Sequence, residues 1–246
     1  FRSPKVVVYG LSTEGYAIAS QMAIKGADVY IIDESTPSAI SLKSEIAKTY
    51  PNVSSLKEDE PLLAMEPIDV AISKAQYLFF TPRIRKTGQD IKTEIHSKFK
   101  DAVTSLKKNS SVIFTLPTGF GGNNENISLL EHVTGFQIGK NISYFYYPLE
   151  DLNQQPKIIG SFNGKEDLVL SDLLTDNKNE KKFVAISSSE HFHAIDVLSR
   201  FSSLCSVLEV CKYAKDEITK NDLSSNDFQE IFLEGLILGI LILLPV

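Results

Sequence analysis

The stretch Lys5-Val-Val-Val-Tyr-Gly10-Leu-Ser-Thr-Glu-Gly15-Tyr16, closed by Val29-Tyr-Ile-Ile-Asp33, decides the fold. Lys5 to Tyr9 is a β-branched apolar run too short for a helix, and it stops at a glycine. From Tyr16 to Ile24 apolar residues recur at helical spacing until Gly26, and Val29 to Ile32 is a second short apolar run ending on an acid. Strand, tight turn, helix, strand is predicted over Lys5 to Asp33, a βαβ unit.

The turn carries its own chemistry. A helix N-terminus offers free N–H groups and the positive end of a dipole, so an anionic phosphate is stabilised there if no side chain blocks its approach. The spacing Gly10-x-Ser12-x-x-Gly15 is that of a glycine fingerprint with serine at its middle position, and Asp33 stands where an acid would meet a ribose diol. Gly10, Ser12, Thr13 and Gly15 are therefore candidate contacts to a dinucleotide pyrophosphate. An acid at position 33 would accept from the diol and repel a 2′-phosphate, which favours NAD as cofactor. The competing reading is a plain structural turn, with Asp33 as a solvated strand end.

Outward from this unit, Ser38 to Lys48 is predicted as helix, Tyr77 to Phe80 and Ser111 to Phe114 as strands, and Ile91 to Leu106 as a helix between them. Tyr144 to Tyr147, Lys157 to Ile159 and Phe183 to Ile186 add later strands. The fold class is α/β, a Rossmann-type doubly wound, mostly parallel sheet. From Glu190 onward Ala194, Val197, Leu198, Phe201, Leu204, Cys205, Leu208 and Cys211 recur every three or four residues, which predicts one long amphipathic helix. A polar break from Lys220 to Asn226 precedes a second helical stretch near Phe228. Residues 1–188 are expected to form the dinucleotide-binding domain, and 189–246 an incomplete helical region suited to dimerisation.

Composition limits the partners. The 246 residues are 43% hydrophobic and 23% charged, as in ordinary folded domains, and the net charge of -6 argues against broad binding to nucleic acid or anionic membrane. The apolar run Leu236 to Val246 falls short of the ~20 residues that span a bilayer. Two cysteines six residues apart on a helix make no disulfide framework, and their sparing use suits a cytoplasmic location. The chain opens on Phe1 rather than Met and is expected to be a piece of a longer one.

Further along, Ala71-Ile-Ser-Lys-Ala75 through Phe79-Phe-Thr-Pro82 and Gly88-Gln-Asp90, then Lys107-Lys-Asn-Ser-Ser111 through Phe114-Thr-Leu-Pro-Thr-Gly119, then Tyr147-Pro148 and Pro156-Lys-Ile-Ile-Gly160, follow in order. With the opening βαβ unit, these segments make the chain resemble the UDP-glucose/GDP-mannose dehydrogenases over most of its length. The resemblance implies a doubly wound sheet and a dimerising helix, an NAD cofactor and a nucleotide-sugar substrate. It implies that Thr81 and Pro82 border the nicotinamide, that Thr115 supplies an active-site hydroxyl, and that Glu150 is the displaced acid of the family's Tyr-x-Pro-Glu.

The departures fall on the chemistry. No glycine-rich loop carries the family's nucleophilic cysteine, and Cys205 and Cys211, inside the dimerising helix, are expected to be core residues. The family's lysine falls on Asp196 and its asparagine on Arg200, and no lysine occurs from Phe183 to Val210. The leading expectation is an NAD-binding protein of nucleotide-sugar dehydrogenase architecture. A dinucleotide-binding sensor or scaffold that acts through its helical face is the alternative, with another hydroxyacid-type dehydrogenase as a third.

His191 and His193, at a helix start, are expected to be structural or capping groups, and no metal site is expected. The loop Gly119-Phe-Gly-Gly-Asn-Asn124 suits either close approach to a ligand or a turn requiring positive φ. Glu180-Lys-Lys182 and Lys107-Lys108 are expected on solvated surface.

Overall fold

A computed structural model describes residues 3–36, 38–58, 63–88, 90–149, 158–175 and 181–221. The chain divides into two compact units, Phe1–His191 and Phe192–Val246.

In the first unit, β1 (Lys5–Tyr9), α1 (Thr13–Ile24) and β2 (Asp28–Ile32) form the expected βαβ unit, with β1 and β2 parallel in register Val6↔Val29. The strands β3 (Ser38–Leu42), β4 (Met65–Pro67), β5 (Tyr77–Phe80), β6 (Ser111–Phe114), β7 (Ser143–Tyr146), β8 (Ile158–Ser161) and β9 (Lys182–Ala185) complete one sheet among the described residues. Its order is β4-β3-β2-β1-β5-β6-β7-β8-β9. Neighbours are parallel except β2/β3, β3/β4 and β7/β8. β1 sits between β2 and β5, so the chain leaves the centre first in one direction and later in the other. In doubly wound sheets such a reversal is where ligands bind, here at the carboxyl ends of β1 and β5.

The central strands are buried on both faces, and alternate residues divide between two cores. Val6, Val8, Val29, Ile31, Phe79 and Ile113 pack with α1, α2 (Ser44–Thr49), α3 (Val53–Glu58) and α7 (Leu168–Leu174). Val7, Tyr9, Leu78, Phe80, Val112 and Phe114 pack with α4 (Ile68–Lys74), α5 (Asp90–Val103) and α6 (Gly122–Thr134). On that second face Phe80, Phe99 and Phe114 form a triangle of rings with centroids 5.0–5.4 Å apart. Period-2 burial on two sides is why these strands read as continuous apolar runs.

Ser38 to Leu42 departs from the expected helix. Its apolar residues at 39, 42 and 46 fit a helical face, but pairing with β2 on one side and β4 on the other makes it a strand, and helix begins only at Ser44. Lys181 also departs from its expected solvated position. It is buried with its ammonium over the Tyr147 ring, 5.5 Å from the centroid, whereas Lys107 and Lys108 are exposed.

The last described helix, α8 (Ile186–Asn221), runs through Lys220 and Asn221, so the expected polar break does not begin there. The stretch near Phe228 lies outside the described residues. In the second unit Leu198, Phe201, Leu204 and Leu208 recur at helical spacing and are exposed. Cys205 and Cys211 are half-buried rather than core residues, because helical spacing defines a face without supplying what covers it. No helix of the described residues is long and apolar enough to cross a membrane.

Candidate functional site

The turn after β1 is built by close approach of backbone. Gly10 has φ +115°, and a Cβ there would lie 2.1 Å from the Thr81 carbonyl oxygen. A Cβ on Gly15 would lie 2.5 Å from Thr81 Oγ1 and 2.6 Å from the Gly10 carbonyl oxygen. The backbone of Thr81 donates to the Tyr9 carbonyl at 2.8 Å, and its hydroxyl bonds the Gly10 carbonyl at 3.1 Å. Thr81, the residue after β5, thus fastens the end of β5 to the turn after β1. Both glycines are required because no side chain fits in that seam.

Ser12 is explained by local geometry. Its backbone is extended, with φ −85° and ψ 168°, so this position demands no glycine. Its hydroxyl turns back to accept from the Gly15 N–H at 2.9 Å, which makes Ser12 the N-cap of α1. Tyr16 N–H bonds the Ser12 carbonyl. The N–H groups of Thr13 and Glu14 have no hydrogen-bond partner among the described residues, as the first turn of a helix dictates. The turn therefore presents two free donors beyond the carboxyl end of β1.

Asp33 closes β2 and is buried. One carboxylate oxygen accepts from the Ser35 N–H at 3.0 Å, and the other meets the Lys57 ammonium at 2.7 Å. Burial pushes its pKa up, but the hydrogen bonds from Lys57 and Ser35 and the charge of Lys57 outweigh that and hold it below the ordinary 3.8. A carboxylate depressed in the folded chain adds stability that is complete above the unfolded pKa and is lost as pH falls through the folded one. The stability advantage of the native chain over Asp33→Asn is thus expected to shrink as pH drops below 3.8 and to stay level above pH 5; urea titrations across that range check it.

Next to it, Glu34 accepts from the Arg83 N–H at 2.9 Å and pairs with Lys98. Glu94 accepts from the N–H groups of Arg85 at 3.1 Å and Lys86 at 2.8 Å, and pairs with Lys98 at 3.1 Å. Glu34 thereby holds the loop that follows Pro82 to the end of β2, and Glu94 holds it to α5. Burial, aided by Glu34 and Asp101, pushes the Tyr9 phenol up to about 12, so it stays neutral here.

Of the remaining sequence candidates, Pro82 is buried beside Thr81. Thr115 is buried after β6 with its hydroxyl donating to the Phe80 carbonyl at 2.6 Å. Glu150 lies outside the described residues. Asp196 and Arg200 pair with each other at 2.6 Å on the exposed surface of α8. His191 bonds the Ser187 carbonyl through Nδ1 at 2.6 Å and packs on Phe120 at 4.8 Å between ring centroids.

The glycine-asparagine loop is occupied from within the chain. Gly121, at φ +74°, is the N-cap of α6, and the buried carboxylate of Glu190 accepts from the N–H groups of Gly121 and Asn123, both at 2.9 Å. Asn123 Nδ2 donates to the same carboxylate at 2.7 Å, and Asn123 Oδ1 accepts from the buried Tyr144 hydroxyl at 2.5 Å. An internal anion thus fills this helix N-terminus, in contrast to the open one at α1. Neither Glu190 nor Lys57 was visible as a site residue in the sequence. Each acts on a partner far away in the chain, and no local spacing signals the pairing.

No family model and no curated protein matches the sequence. Solved structures do share its fold. GDP-mannose dehydrogenase from Pseudomonas aeruginosa superposes with a TM-score of 0.65 at 12% identity, over 86% of this chain and 53% of that one. The chain has a nucleotide-sugar dehydrogenase-like fold. UDP-D-ManNAc dehydrogenase from Pyrococcus horikoshii agrees, with a TM-score of 0.62 at 17% identity over 86% of this chain and 54% of its own. An imine reductase from Aspergillus terreus solved with NADPH4 matches 96% of this chain and 73% of its own, with a TM-score of 0.60 at 12% identity. This chain therefore spans about half the length of the sugar-nucleotide dehydrogenases it matches.

Proposed function

We propose that this chain binds a nicotinamide dinucleotide at the carboxyl ends of β1 and β5. The pyrophosphate lies on the free N–H groups of Thr13 and Glu14, and the adenosine ribose lies against Asp33. The observation that carries this reading is the seam in which Gly10 and Gly15 press on Thr81 while the first turn of α1 keeps open donors. In this arrangement Gly10, Ser12 and Gly15 shape the floor, and Thr81 and Pro82 border the nicotinamide side, with Thr115 behind them. NAD is the form that the ribose contact of Asp33 accepts without change.

A nucleotide sugar is the proposed substrate class, as for the sugar-nucleotide dehydrogenases that share the fold. When bound, the dinucleotide would supply hydride acceptance. The chain's residues position the cofactor, and the lysine and asparagine of the resemblance are replaced by the mutually paired Asp196 and Arg200. That pairing favours a second reading, in which the dinucleotide site serves a sensor or scaffold. Such a protein would act through the exposed Leu198, Phe201, Leu204 and Leu208, for which a second copy of the chain is the proposed partner.

Calorimetry with NAD, NADH and UDP-glucose tests the proposal. Binding of NAD or NADH below about 1 mM is expected, and failure of both overturns it. Binding without NADH formation from any nucleotide sugar selects the sensor or scaffold. Asp33→Ala is expected to weaken NAD about tenfold, the equivalent of ~1.4 kcal/mol. Unchanged affinity would remove the ribose contact from the reading.

A further inference from the structure

The acid at the end of β2 is not the bare carboxylate that the sequence implied. Asp33 carries the Lys57 ammonium at 2.7 Å, and the lysine side chain stays 37% exposed while that of Asp33 is 6% exposed. The positive partner is thus the solvent-facing member of the pair. Glu34 and Glu94 are likewise committed within the chain, both to Lys98, and also to backbone N–H groups of Arg83, Arg85 and Lys86. The guanidinium groups of Arg83 and Arg85 and the ammonium of Lys86 have no partner among the described residues. Lys57 and Lys98 are thus the cations paired with these three carboxylates, and each of the three already accepts hydrogen bonds from within the chain. At the end of β2 the solvent-facing charge of the Asp33 pair is therefore the Lys57 ammonium, in a chain whose net charge is -6.

A ribose 2′-phosphate is excluded from such sites by an unpaired acid and accommodated by a nearby arginine or lysine. Here the exclusion is cancelled at its source. We infer that the ribose end of this site accepts a 2′-phosphorylated dinucleotide, so that NADP binds as well as NAD, with Lys57 as the specificity-determining residue and Arg83 supporting it. The inference rests on the dinucleotide reading above. With NAD, Asp33 shares its outer oxygen between Lys57 and the diol. With NADP, the phosphate takes Lys57 as its counterion, and the uncommitted Arg83 lies one loop away, its backbone fixed to Glu34.

Titration calorimetry of NAD and NADP against the native chain, Lys57→Met and Arg83→Met tests this. The expected result is an NADP Kd within about tenfold of that for NAD. Lys57→Met is expected to weaken NADP by about tenfold or more and NAD by less than about threefold, and Arg83→Met to act in the same direction. Raising the salt concentration weakens NADP more steeply than NAD, because the extra contacts are ionic. NAD binding with NADP more than about 100-fold weaker overturns the inference and leaves the dinucleotide reading standing. Equal losses for both cofactors in Lys57→Met also overturn it, since they mean that the lysine only supports the fold. Failure of both dinucleotides to bind the native chain overturns the parent reading as well, which separates the two failures.

Discussion

Gly10→Ala is expected to destabilise the chain by about 4 kcal/mol, a large share of the ~5–15 kcal/mol that typical domains possess. Two costs add. A residue with a Cβ at φ +115° is strained by about 1–3 kcal/mol, and the new methyl would overlap the Thr81 carbonyl, 2.1 Å away, with overpacking of about 1–3 kcal/mol. The carbonyl cannot retreat, because the N–H of Thr81 is bonded to Tyr9 in the centre of the sheet. Gly26→Ala is the matched control. Its φ is +91° but no atom lies within 4 Å of its Cβ position, so only the backbone strain remains. Urea denaturation of both variants measures the difference. A loss at Gly10 no greater than at Gly26 would remove the seam from the explanation.

Glu190→Gln is expected to cost about 2–4 kcal/mol although it changes one atom of an isosteric side chain. The carboxylate is an acceptor at both oxygens and serves three N–H donors, those of Gly121, Asn123 and the Asn123 amide. An amide sets one NH2 group against those donors, leaving a buried donor unsatisfied at about 1–3 kcal/mol and losing the charge at the helix N-terminus. The effect should extend to Tyr144, whose hydroxyl rests on Asn123 Oδ1. Glu125→Gln, on the exposed flank of the same helix, is expected to change little, since its ion pair with Lys92 is open to water. Thermal unfolding of the two variants, with amide exchange at Gly121 and Asn123, checks this. Equal behaviour of the two glutamates would refute the role assigned to Glu190.

The comparison of sequence with structure divides along the range of the forces involved. The unit from Lys5 to Asp33 was legible because every signal in it is local: a β-branched run, a glycine with positive φ, a capping serine and a 3.6-residue period. Ser38 to Leu42 misled because two neighbouring strands, unknown to a local window, decide its state. The helix α6 was hidden by its opening Gly-Asn-Asn, which reads as loop until a carboxylate 67 residues away caps it. Lys181 reads as surface charge until the fold lays Tyr147 beneath it. The places of Gly10, Gly15 and Asp33 at the turn and strand end of the βαβ unit were legible too. The electrostatic character of Asp33 was not, because Lys57 comes from a short helix with no motif of its own.

The place of β1 also governs how the chain assembles. Its first partner, β2, arrives after about twenty residues, but its second, β5, pairs Val6 with Tyr77 across 71 positions. Until that loop closes, half of the backbone donors and acceptors of the central strand face water, and β2 to β4 can gather on one side only. The strand that enters first is therefore sealed late, and the slow event in folding is expected to be the docking of β5, which simultaneously forms the Gly10–Thr81 seam. A nascent chain released before Phe80 would hold an open sheet edge, a template for association with other chains until β5 takes its place.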